Sequence, residues 1–451
     1  MESEKVISFE SLNKNVGRFS LREKTFLIPQ MNRIGSHLLA AAFRGFGIQA
    51  KVMGTFEGLD LGMEYTSGKE CYPCQITTGD ILYFMKKEQE RLGKAFDPDQ
   101  YIYFMPESSG PCRFGMYNKY QRIILDSLPE LQRLKIGSLT TDDGYALTGL
   151  IEPERVSDLR RASYFSVVVG DILDRVLWRI RPYEKEPGTS DCFIEEAMHR
   201  MEEKFERHGP GKEFDRILDA MEEIIDEGKR LVDPHMPRKP LIGMVGEIYV
   251  RTHVHANQDI IRVIERFGGE VVNASIAEWM NYTSYDRLRD AKTAFKLSMK
   301  QLRFAPMKEH LKKMFGYGAE LYYEEFRQKK AYDRLASKID IVRDHKVAHL
   351  EKVLKERDLY SFDAGTEACL SIPGIVQYAR EGCNGVVNVY PFTCMPSTIT
   401  SSIIKPIMNQ LGLPYLDTPY DATIQPGREA AIRTFMYQAC QHFKQHGRKA
   451  V

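Results

Sequence analysis

The chain of 451 residues contains no run of about 18 apolar residues, the length a helix needs to cross a bilayer. It has no excess of either charge: 63 Lys and Arg stand against 62 Asp and Glu, for a formal net charge of +1. No basic tract stands out, so neither a nucleic-acid partner nor a membrane is expected. The opening segment MESEKVISFESLNKN is charged and lacks the apolar centre of a secretory signal. These absences point to a cytoplasmic protein. Thiols are kept reduced there, so the eight cysteines are not expected to form a disulfide framework.

Those cysteines are not scattered evenly. Cys192 and Cys440 sit in amphipathic helical stretches, TSDCFIEEAMHRMEEKF and AAIRTFMYQACQHF, where a free thiol is a small apolar filler. The other six fall in two short regions, 71–112 and 369–394, beside Gly and Pro. Cys71 and Cys74 make a CxxC in GKECYPCQITTGD, a spacing open to a redox disulfide, half a zinc site or iron–sulfur ligation.

The length favours more than one core. The pattern shows two halves with a common grammar, 1–235 and 236–451, joined through VDPHMPRKP at 232–240. In the first half, strands are expected at Thr25–Pro29, Ala50–Met53 and Tyr101–Met105, with helices at about Ser36–Phe46 and from Phe114. In the second, the apolar strand in KPLIGMVGE leads to a helix near Gln258–Phe267, a strand at Glu270–Asn273, and a final strand, loop and helix from NGVVNVYPFTCMPSTITSSII. Alternating strands and helices predict α/β architecture with two doubly wound parallel sheets. Long helical insertions, 151–230 and 284–360, carry apolar residues every three or four positions and mixed charge. They read as solvated helices that pad each domain or form a subunit contact.

Cys71 and Cys74 precede one helix, Cys112 follows a strand and precedes another, and Cys394 does the same. All four belong at the carboxyl ends of strands, where open α/β sheets bind ligands. Helix N-termini favour thiolates, and their free N–H groups can bond cluster sulfurs. Cys369 and Cys383 bracket a short helix and are expected to face the same point. Zinc prefers two tight knuckles, and only one CxxC is present. A thioredoxin-type motif lacks its Trp-flanked context. His253 and His255, two residues apart, read as a loop or strand feature rather than a ligand pair. The spacing favours iron–sulfur chemistry, and six thiolates could hold two cubanes by three each.

The segments SGKECYPCQITTGDILYF, FMPESSGPCRFGMYNKYQRIILD and GVVNVYPFTCMPSTITSSII resemble the benzoyl-CoA reductase and 2-hydroxyacyl-CoA dehydratase family. The likeness runs from about Thr25 to Phe443 and is nearest the activase-related branch with its double-cubane cluster proteins. It implies two flavodoxin-like domains, a cluster between them, a homodimer, and an ATP-hydrolysing [4Fe-4S] activator as electron donor. Single-cluster members supply three cysteines, matching Cys71 or its neighbour, Cys112 and Cys394. The additional Cys74, Cys369 and Cys383 imply an [8Fe-9S] double cubane here. The implied partition is Cys71, Cys112 and Cys394 on one cubane, with Cys74, Cys369 and Cys383 on the other.

No GxxxxGK[ST] loop appears, so ATP hydrolysis is expected on a separate protein, and no residue set announces an acyl-CoA site. The expected function is an iron–sulfur reductase component acting on a small molecule. Arg113, Ser109, Glu247 and His253, in loops beyond strands, are the candidate catalytic groups around the cluster. The alternatives are a dehydratase subunit with one [4Fe-4S] cluster and a non-catalytic zinc or iron–sulfur structural protein.

Overall fold

A computed structural model describes residues 14–448 except Lys69 and Ser109. In chain order the first part comprises β1 (Val16–Gly17), β2 (Thr25–Ile28), α1 (Arg33–Gly45), β3 (Gln49–Val52), α2 (Leu59–Tyr65), α3 (Tyr72–Leu92), β4 (Tyr101–Phe104), α4 (Tyr117–Ser127) and β5 (Lys135–Gly137). Helices α5 (Pro153–Ile180), α6 (Thr189–His208) and α7 (Phe214–Gly228) follow. The second part comprises β6 (Leu241–Gly246), α8 (Ile248–Thr252), α9 (Ile260–Arg266), β7 (Glu270–Asn273), α10 (Ile276–Lys300) and α11 (Phe304–Ile339). It continues with α12 (Val347–Glu356), α13 (Ala368–Glu381), β8 (Gly385–Pro391), α14 (Met395–Leu411), β9 (Tyr415–Tyr420) and α15 (Arg428–His446).

The two sheets are wholly parallel, with strand orders β1-β5-β4-β2-β3 and β7-β6-β8-β9. Counting from β2 and from β6, each reads second, first, third, fourth, the flavodoxin-like order, and β1 adds an edge strand to the first sheet. Register follows the apolar pattern: Phe26 lies beside Ile102 and Ile242 beside Gly385. Every residue of β6 and of β8 is buried, as expected of strands covered by helices on both faces. Three strands escaped the sequence reading: β1 and β5 are only two and three residues long, and β9 is half-buried and contains Pro419.

The helical insertions do not pad separate domains. Residues of α1, α5, α6 and α7 share one apolar core with Ala331, Tyr332, Leu335 and Ala336 of α11. Buried Arg175 on α5 ties this layer to the second sheet, donating to the Asn273 carbonyl of β7 at 3.3 Å as well as to the Tyr332 hydroxyl and the Val342 carbonyl at 2.6 Å each. Asp171, one turn earlier, caps α10 by accepting from Ile276 and Ala277 N–H at 3.0 and 2.8 Å. Among the described residues, no helix is long and apolar enough to cross a membrane.

Two glycine contacts set the geometry of the site. A Cβ at Gly79 on α3 would overlap the Gly58 carbonyl oxygen, so α2 and the helix bearing Cys74 touch through backbone. Gly246, at φ +124°, lies so close to Val389 that a side chain would strike its carbonyl. This turn delivers Glu247 beside the end of β8.

Candidate functional site

Three cysteines occupy the same structural position, the N-cap of a helix at the carboxyl edge of a sheet. Cys71 caps α3, Cys394 caps α14, and Cys112 caps the 3₁₀ turn Arg113–Met116 that leads into α4. Each has extended backbone, and the thiols of Cys112 and Cys394 lie within reach of the first-turn N–H groups of Phe114 and Ser397. Pro73 and Pro396 stiffen two of those first turns. Cys74 follows within the first turn of α3 and is buried.

The loops meet across the interdomain crevice. Arg113 Nη2 donates to the carbonyl and hydroxyl of Thr393, at 3.0 and 3.1 Å, linking the Cys112 loop to the Cys394 loop. The same guanidinium lies close enough to favour the thiolates of Cys71 and Cys74. Two carboxylates, Glu247 and Glu367, act on Cys71, Cys112 and Cys394 together. Glu247 caps α8, accepting from Tyr249 and Val250 N–H at 3.0 and 2.9 Å. Burial, with repulsion from Glu367, pushes its carboxyl up to about 7. Glu367 stands at the N-cap of α13, is 8% exposed, and has a buried Oε2 with no hydrogen-bond partner.

The thiols are not activated in the way helix N-termini alone predict. Burial raises all four above the ordinary thiol range, with Cys74 pushed up to about 12. Hydrogen bonds favouring the thiolate, from Tyr117 to Cys71 and from Ser397 N–H to Cys394, do not offset it. Desolvation and two nearby carboxylates outweigh three helix termini. Bound metal would reverse this balance, since a cation deprotonates a coordinating thiol outright.

The six-thiol expectation is corrected by position. Cys369 lies at the correct end of α13, but its Sγ donates to the Gly365 carbonyl at 3.2 Å and contacts that of Phe362 at 3.6 Å. Its other neighbours are Tyr282, Asp286 and Arg289, so it is turned toward α10. Cys383 lies at the opposite edge of the sheet. The adjacent Asn384 N–H bonds Leu241 at the start of β6, whereas Cys394 follows the end of β8. Seven strand residues at about 3.3 Å each put those two thiols on the order of 20 Å apart. Cys192 and Cys440 lie on α6 and α15, outside this constellation.

Of the candidate catalytic groups, Arg113 and Glu247 are in the crevice, and Ser109 lies outside the described residues. His253 is elsewhere. It is 2% exposed, its Nδ1 accepts from Ala256 N–H at 3.1 Å, and its Nε2 lies 2.8 Å from the Thr55 hydroxyl. Thr55 in turn donates to Asp80 at 2.6 Å. Burial pushes His253 down to about 3, so it serves as a neutral link between the domains. The sequence reading missed Glu367; an N-cap carboxylate two residues before a cysteine was its available signal.

All four crevice thiols are free and mostly buried, soft donors suited to iron–sulfur clusters or zinc. Among the described residues no three His, Cys, Asp or Glu side chains gather closely enough for one metal ion. A cluster spreads its ligands over a wider ring than one ion does, and soft, buried thiols fit its donor chemistry. Arg251 has an electrostatic interaction with both Glu247 and Glu367, and it also lines a cavity of about 210 Å³ with Asn32, Trp178 and Asn257.

No family model matches the chain, and no curated protein sequence matches it.

Proposed function

We propose that the protein is an iron–sulfur reductase component whose cluster is held between its two α/β domains by Cys71, Cys112 and Cys394, with Cys74 beside them. The observation that carries this reading is that three N-cap thiols, from both domains, share Glu247 and Glu367 as charged neighbours. Such a cluster would supply low-potential electrons and an iron Lewis acid.

The chain's own residues would then do three things. First-turn N–H groups, among them those of Phe114 and Ser397, would hydrogen-bond to the ligating sulfurs and tune the potential. Arg113 would hold the two cysteine loops in register while balancing thiolate charge. Glu247 and the unpaired Glu367 oxygen could carry protons to the reduced product. Arg251, an electrostatic neighbour of both carboxylates, also lines a small cavity of about 210 Å³ walled by Trp178, below the roughly 300 Å³ of an ordinary ligand pocket, so substrate is expected to enter at the thiols themselves. A separate ATP-hydrolysing activator as donor, a homodimer and a cytoplasmic setting complete the reading.

Four thiols at the crevice favour one [4Fe-4S] cluster over the [8Fe-9S] double cubane, whose sixth ligand would be Cys383. Anaerobic purification followed by iron and sulfide analysis tests this. About four iron per chain is expected; about eight, lost on Cys383→Ser, would restore the double cubane. A colourless protein holding one zinc would end both versions.

A further inference from the structure

The helical hairpin of α10 and α11 leaves the body of the protein. No residue of α11 before Leu321 is buried; its first half runs alongside α10, and Glu320 at its end also pairs with Arg160 of α5. Along this arm Phe304, Leu311, Phe315, Tyr322 and Phe326 are all exposed, three of them above 70%. They are spaced seven, four, seven and four residues apart. That eleven-residue repeat keeps them on one face of a nearly straight helix. The stripe extends roughly 33 Å at 1.5 Å per residue. Four aromatic side chains of roughly 150–250 Å² each, about half to three-quarters exposed, present roughly 400–600 Å² with Leu311. Two such faces reach roughly the 1,000 Å² that a specific interface needs.

A second feature lies within the stripe. Gly318 falls on the same face, between Phe315 and Tyr322, and a Cβ there would meet only Leu288, at 3.9 Å. Intramolecular packing therefore does not require this helix-interior glycine, which leaves a notch in the apolar face.

We infer that this face of α11 pairs with the same face of a second copy of the chain, antiparallel about a two-fold axis near Phe315. Read against itself in reverse, the stripe is self-complementary. Phe304 of one copy meets Phe326 of the other, Leu311 enters the notch at Gly318, and Lys308 lies over the Tyr322 ring.

Charge selects the direction. Between Lys292 and Lys313 there are seven Lys and Arg and one acid, Glu309, which pairs with Lys313 at 3.0 Å. Parallel pairing would bring the two basic ends together; antiparallel pairing sends Lys308 and the basic residues before it toward opposite ends of the stripe. The aromatic composition suits a protein interface, and the stripe continues onto the anchored part of α11 where Leu321 and Gln328 are buried.

Light scattering after size exclusion, on the full chain as purified, is expected to show twice the 51.9 kDa chain mass. Phe315→Asp and, separately, Gly318→Leu should each weaken the dimer at least tenfold, whereas Tyr437→Asp, at an exposed position on another helix, should not. Phe315→Cys should form an intermolecular disulfide on mild oxidation. Iron content measured on the same samples separates this inference from the cluster reading, because the arm carries none of the crevice thiols. A monomeric wild-type chain at tens of micromolar, or a dimer indifferent to Phe315→Asp and uncrosslinked by Phe315→Cys, would overturn it. So would a monomer that floats with phosphatidylcholine/phosphatidylglycerol vesicles through Phe315, which would assign the face to lipid.

Discussion

The two sheets share one strand order over four strands, and with it three equivalent helix N-caps apiece at their carboxyl edges. After the first strand stand Asn32 in one domain and Glu247 in the other. At the helix leading into the third strand stand Cys71 and Glu367, and after the third strand Cys112 and Cys394. Equivalent backbone therefore carries different donors: an amide and two thiols from the first domain, two carboxylates and one thiol from the second. Topology supplies the positions, and the residue types divide the work between soft donors and proton-bearing groups. Cys369 shows how narrow this is. It lies two residues beyond the N-cap occupied by Glu367, and successive helical residues turn by about 100°. Its thiol points to backbone carbonyls instead.

The equivalence of Cys112 and Cys394 can be broken most directly. Cys112→Ser and Cys394→Ser should each lower iron retention after anaerobic reconstitution by roughly tenfold or more. Retention in one variant alone would show that the domains are not equal ligand donors. Next in size is a pair of opposite signs. In the metal-free chain Glu367→Gln should lower the pKa of Cys71, Cys112 and Cys394, and Arg113→Ala should raise that of Cys71. Iodoacetamide labelling at pH 8, followed per cysteine by mass spectrometry, should speed up roughly several-fold in the first and slow in the second. Rates that move in the same direction would refute the electrostatic arrangement.

The seam between the domains gives a smaller effect. Asp171 and Asp174 on α5 are both raised to about 7, chiefly by burial. Folded, they keep their protons to near neutrality, while unfolded they lose them near pH 4. Their contribution to stability is therefore complete below about pH 4 and lost as pH rises to about 7. The thermal midpoint should fall by roughly a few degrees between pH 5 and pH 8. Asp174→Asn should flatten that slope; an unchanged slope would locate the dependence elsewhere. Smallest is Cys383→Ser, which should leave iron content unchanged. A fall by half would return this thiol to the site.

Much of the frame is legible in the residues themselves. Continuous apolar runs such as LIGMVG and GVVNVYP mark strands buried on both faces, and Pro73 and Pro396 mark the first helical turns behind two cysteines. The short strands were not legible, because two or three residues carry no period. The shared helical core was hidden for a different reason: an amphipathic pattern shows that α5 and α11 have an apolar face but not which helix covers it.

By itself the sequence determined two parallel α/β units and placed four cysteines at the carboxyl ends of strands, since local pattern and loop chemistry suffice for both. Only the tertiary structure decided which thiols meet. Cys383 is eleven residues from Cys394 in sequence but a strand's length away in space, while Cys71 and Cys394, more than three hundred residues apart, share the same two carboxylates. A parallel strand separates its own ends by its full length, and the pairing of two domains brings distant loops together. Those distances are set by the fold, and sequence spacing does not contain them.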